Sequence, residues 1–114
     1  MSERRTLVVE VDAATRLGLN GFLRVRGYGC VAVSSADEAL EALAAGSFSF
    51  TLVDLSANGT DPAELIQCLK LRGRNSGPII AIADRRDNGL DAVPLGVEAV
   101  LDKPLSLEEL QQTL

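Results

Sequence analysis

The chain has 114 residues, 46% apolar and 24% charged, with a net charge of −5. That length forms one domain and can bury a single core without disulfides or metal. The acidic balance and the lack of any Lys/Arg cluster argue against direct nucleic-acid binding. Cys30 and Cys68 lie far apart in a chain without histidine, which excludes a zinc site and suits a reduced, cytoplasmic protein. Met1 to Arg5 lead into only about six apolar-rich residues, too few for a signal peptide or a membrane span.

In chain order, strands and helices alternate. Thr6 to Val11 is an apolar, β-branched run that reads as the first strand. Ala13 to Arg26 carries Leu19, Phe22 and Leu23 at helical spacing, and Gly27 closes that helix. Tyr28 to Val33 reads as the second strand. Ser35 and Glu38 have the spacing of a capping box; they open a helix whose apolar face is Ala39, Leu40 and Leu43, with Gly46 at its end. Phe50 to Asp54 is the third strand. Asp61, Pro62 and Glu64 mark the start of a third helix with Leu65, Ile66 and Leu69 inward, stopped by Gly73. Pro78 to Ala83 forms the fourth strand. Asp87 to Leu95 reads as a short or irregular fourth helix, because Asn88 and Gly89 are poor formers and Pro94 breaks a hydrogen bond. Val97 to Asp102 is the fifth strand. Ser106 and Glu109 open a final helix with Leu107, Leu110 and Leu114 inward.

Such alternation means βαβ units and a parallel sheet covered on both faces. With right-handed crossovers it predicts an α/β, doubly wound, flavodoxin-like (βα)5 sheet of order 2-1-3-4-5, two helices on one face and three on the other. Ligand crevices in such sheets lie at the carboxyl ends of the strands. Glu10, Asp12, Asp54, Asp102 and Lys103 all fall there. Lysine is scarce, with Lys70 and Lys103 alone against nine arginines. An Asp nucleophile beside acidic side chains and a lysine suits phosphoryl chemistry assisted by Mg²⁺.

Along its whole length the chain resembles the receiver domain of bacterial two-component response regulators. The resemblance is carried by Leu7-Val8-Val9-Glu10 with Arg16 downstream, Gly27-Tyr28, Ser35-Ala36-Asp37-Glu38-Ala39-Leu40, Val53-Asp54 and Leu101-Asp102-Lys103-Pro104-Leu105. It implies that Asp54 is the phosphoacceptor, that Lys103 contacts the phosphoryl group, and that Glu10, Asp54 and the Ser56 backbone carbonyl bind Mg²⁺. It further implies a histidine kinase or phosphotransfer protein as donor, and a response through the helix 4–strand 5–helix 5 face. The final helix has about two turns before Leu114, so residues 1–114 are expected to be a single receiver-like module, cut from a longer protein with a C-terminal output domain.

The departures from the family pattern concern the same site. Val11 stands where the second acid of the metal pair belongs. Asp12 is a further candidate ligand only if the chain has already left the strand, since a one-residue shift along a strand turns a side chain to the other face. Ala83 and Val100 replace the switch hydroxyl and its aromatic partner, and Asp84 adds negative charge nearby. The loop after Asp54 lacks the usual proline, and Pro94 interrupts the responding helix. Weak or absent Mg²⁺ binding is therefore expected. Asp54 and Lys103 favour a working phosphoacceptor; Val11, Ala83 and Val100 favour a pseudo-receiver that binds a protein or ligand without phosphorylation. An aspartate-nucleophile phosphatase of the haloacid-dehalogenase type wants a second Asp where Ser56 stands, so an enzyme is not expected.

Overall fold

The computed structural model describes residues 4–55, 62–72, 75–83, 97–102 and 106–113. Strands β1 (Arg5–Val9), β2 (Gly29–Val33), β3 (Phe50–Asp54), β4 (Ile79–Ala83) and β5 (Ala99–Asp102) form one sheet in the order β2-β1-β3-β4-β5. Every pairing is parallel. Helices α1 (Ala13–Val25), α2 (Ala36–Ala45) and α3 (Pro62–Arg72) connect successive strands from β1 to β4, and α4 (Leu107–Thr113) follows β5. The predicted helix at Asp87 to Leu95, including Pro94, lies outside the described residues, as do Asp61, Gly73 and Leu114. Among the described residues, no helix is long and apolar enough to cross a membrane.

Alternation along the central strands splits the core into two layers. Leu7, Val9, Val53, Leu55, Ile79 and Ala81 pack with Ala39 and Leu43 of α2 and Ile66 and Leu69 of α3. Val8, Leu52, Ile80, Ile82 and Leu101 pack with Leu19 and Leu23 of α1 and Leu110 of α4. Arg26 ties the two helices of this second layer together: its guanidinium stacks 4.0 Å above the Phe22 ring and donates from Nη2 to Gln111 Oε1 at 3.0 Å.

The helix ends follow local chemistry. Gly27, at φ 87°, ends α1: its amide donates to the Arg24 carbonyl and the Tyr28 amide to that of Leu23, a Schellman arrangement. Ser35 caps α2 by accepting from the Glu38 amide at 3.2 Å. The return bond differs from a standard capping box, because Glu38 Oε1 accepts from the amide and hydroxyl of Ser34, at 3.1 and 2.6 Å. The amide of Ser35 itself is not the one bonded, because the carboxylate reaches one residue further back. Ser106 Oγ accepts from the Glu109 amide at 3.3 Å to open α4.

Four strands are shorter at one end than the runs expected for them, β2 and β4 by one residue each, since they begin at Gly29 and Ile79. β1 stops at Val9 and not Val11, because the chain bends at Val11 into the Asp12 cap of α1. β5 starts at Ala99 and not Val97, although the Glu98 amide already bonds the Ile79 carbonyl.

Candidate functional site

β1 and β3 are neighbours in register, with Val8 opposite Leu52 and Val9 opposite Val53. One step further along each strand brings Glu10 level with Asp54 at the carboxyl edge. Alternation puts both on the face that Val8 and Leu52 share. Both are buried, each with 2% of its surface exposed. Asp54 pairs with Ile82 of β4, and Ala83 with Asp102 of β5. The ends of four adjacent strands thus meet along one edge. Val100 lies opposite Ala81 and packs, partly buried, against the α2/α3 layer. Ser56, Asp84 and Lys103 lie outside the described residues, each following directly on a described one, Leu55, Ala83 and Asp102.

The turn after β1 is built on itself. The Glu10 amide still bonds the Val33 carbonyl of β2 at 3.0 Å, so its backbone continues the ladder. Its carboxylate folds back, and Oε1 accepts from the Asp12 amide at 3.0 Å. Asp12 has left the strand, but its Oδ2 is committed to the N-cap of α1, accepting from the Thr15 amide at 2.9 Å and the Thr15 hydroxyl at 2.6 Å. Among the described residues, no three acidic, cysteine or histidine side chains gather as a metal site. Glu10 and Asp54 are hard oxygen donors of the kind Mg²⁺ takes, and Val11 brings none. The residues present fit such a cation with a reduced set of protein ligands.

Two features of this site were not anticipated from the residues. One is the capping role of Asp12, signalled by an Asp directly before a helix. The other is Arg16, whose Nη1 donates to the carbonyls of Glu10 at 2.9 Å and Val11 at 3.3 Å. Nothing in residue spacing announces that contact.

Residues 6–114 match the profile of the response regulator receiver domain. Among curated proteins, the chain is 33% identical over 112 residues to the response regulator MprA of Mycobacterium tuberculosis, covering 93% of this chain and 46% of that protein. It is 31% identical over 107 residues to the response regulator protein FleR of Pseudomonas aeruginosa, covering 93% of this chain and 23% of the relative. The chain therefore spans less than half the length of either. Among solved structures, a response regulator receiver protein from Pseudomonas putida superposes with a TM-score of 0.86 at 26% identity, covering 99% of this chain and 96% of that one. The receiver domain of the TMAO respiratory system regulator TorR gives 0.85 at 22% identity, covering 96% and 91%, and speaks for the fold alone. With its profile match running through all five strands of a 2-1-3-4-5 sheet, the chain belongs to the response regulator receiver domain family, the signalling modules of two-component systems.

Proposed function

We propose that Asp54 is the phosphoacceptor of a two-component phosphorelay, and that the chemistry at this site is slowed by a weakened hold on Mg²⁺. The observation that carries the reading is the placement of Asp54, 2% exposed, at the end of β3 beside Glu10. A carboxylate oxygen of Asp54 attacks the phosphorus of a phosphohistidine on a kinase or phosphotransfer protein. The P–N bond breaks, the P–O bond of an acyl phosphate forms, and the released imidazole takes a proton from solvent. Burial of Asp54 then limits access of water to the acyl phosphate. Lys103, one residue beyond β5, is assigned the contact to the phosphoryl oxygens. Glu10, Asp54 and the Ser56 carbonyl are assigned to Mg²⁺, which when bound offsets the negative charge of the transferring group.

Val11 removes one carboxylate from that set, so Mg²⁺ would be held by fewer protein charges. Output would pass through β5 and the helices flanking it to a C-terminal domain, in the cytoplasm. Incubation with phosphoramidate and Mg²⁺, followed by peptide mass spectrometry, tests the reading. One phosphoryl group should appear on the peptide holding Asp54 and be absent from Asp54→Asn. No labelling at saturating Mg²⁺, or equal labelling of Asp54→Asn, would overturn it.

A further inference from the structure

The contacts of Arg16 converge on one peptide group. The Val11 carbonyl accepts from Arg16 Nη1 at 3.3 Å, and the amide at the other side of the same peptide, that of Asp12, donates to Glu10 Oε1 at 3.0 Å. A cation at the oxygen and a carboxylate at the N–H polarise that peptide in the same sense. Linked hydrogen bonds of this kind strengthen one another, the more so when the end groups are charged. The same Nη1 also grips the Glu10 carbonyl at 2.9 Å, so both peptides after Glu10 are tethered to one guanidinium.

That guanidinium is itself well anchored. Arg16 sits in the first turn of α1, where its amide bonds the Asp12 carbonyl at 2.9 Å. Asp12 in turn caps the helix through Thr15. Val11, partly buried and apolar, adds no charge of its own to the turn. The charge of Arg16 also reaches the start of α2. The Glu38 carboxyl there is held below its ordinary value, first by the Ser34 hydroxyl and amide and in smaller part by Arg16.

We propose that Arg16 is a positioning residue for Glu10, orienting its carboxylate through the single peptide that joins Val11 to Asp12. In a site with one acid missing, the remaining one must be aimed well, and Arg16 aims it from outside the crevice. The Mg²⁺ consequence rests on the reading of Glu10 as a metal-binding acid; the orientation of Glu10 does not.

The test uses Arg16→Gln and Arg16→Lys in the whole chain, followed by amide NMR and Mg²⁺ titration. In Arg16→Gln the Asp12 amide proton should move upfield and exchange about tenfold faster, as expected on loss of a charge-assisted bond. The Thr15 amide, held by the Asp12 side chain, should stay in place. Mg²⁺ affinity should fall about fivefold. Arg16→Lys, which keeps a cation able to donate to carbonyls, should recover most of the Asp12 shift. A merely structural role would move the Thr15 and Asp12 amides together and leave lysine no better than glutamine, and either result would overturn the proposal. So would an Asp12 amide unmoved in Arg16→Gln. If the parent chain takes up no Mg²⁺, the metal reading of Glu10 fails, while the Asp12 amide still decides the role of Arg16.

Discussion

Thr6 offers a perturbation whose size can be worked from the fold, at the end of β1 remote from Glu10. Its side chain is fully buried, level with Cys30 on β2 and Phe50 on β3. Its Oγ1 has no hydrogen-bond partner among the described residues. A buried hydroxyl without a partner forfeits about 1–3 kcal/mol. Thr6→Val replaces it with a methyl of similar volume, adding up to about 0.8 kcal/mol of apolar transfer. Thr6→Val should therefore stabilise the chain by about 1–4 kcal/mol. For a domain of this length each kcal/mol raises the melting temperature by roughly 3–5 °C. Urea unfolding followed by circular dichroism should show a higher midpoint at unchanged slope. Thr6→Ser, which keeps the hydroxyl and loses the methyl, should fall about 1 kcal/mol below the parent. A Thr6→Val midpoint equal to or below that of the parent would refute the reasoning, because the hydroxyl would then be contributing a bond.

At the opposite sheet edge from the site, Gly77 has φ 63°, and a Cβ there would come within 2.4 Å of the Ser49 carbonyl oxygen. Gly77→Ala should cost about 2–3 kcal/mol in the same unfolding assay, and a neutral result would mean the turn can relax. Ser34→Ala removes the largest cause of the lowered Glu38 carboxyl, whose ordinary value is 4.5. A carboxyl lowered on folding stabilises above its unfolded value and loses that contribution as pH falls through the folded one. The parent should thus exceed Ser34→Ala in urea midpoint at neutral pH by a margin that shrinks on acidification. A margin unchanged at about pH 3 would contradict the assignment.

Much of this architecture can be read from residues alone, because buried parallel strands announce themselves as short apolar runs. Phe50 to Asp54 forms a strand with the bounds its sequence suggests, and all of it is buried. Gly27 marks the end of α1 because only a residue at ease with positive φ suits that position. What the residues conceal depends on where the backbone bends. Apolar Val11 extends the run of β1 by composition, yet the strand ends at Val9, and this turns Asp12 from a strand-end acid into a helix cap. Glu38 bonds Ser34 because a long side chain selects among nearby amides by geometry. The grip of Arg16 on two carbonyls is of the same kind. Glu10 and Asp54 were legible as neighbours because the strand order sets the ends of β1 and β3 side by side, whereas their burial, unusual for two carboxylates, shows only in the folded chain.

On the proposed reading, Asp54 is the phosphoacceptor and Mg²⁺ would be held weakly, because Val11 stands where the family pattern has an acid. Titration with Mg²⁺ and then beryllofluoride, followed by amide NMR, tests it most directly. At an effective dielectric near 20, one added unit charge about 4 Å from another is worth roughly 4 kcal/mol, partly offset because water can serve as a ligand instead. Val11→Asp should accordingly tighten Mg²⁺ binding by at least about tenfold. A stable beryllofluoride complex should form in Val11→Asp combined with Ala83→Thr, and hardly at all in the parent. A parent chain that binds Mg²⁺ as tightly as Val11→Asp, takes up beryllofluoride readily and shifts the amides of β4 and β5 would contradict the account.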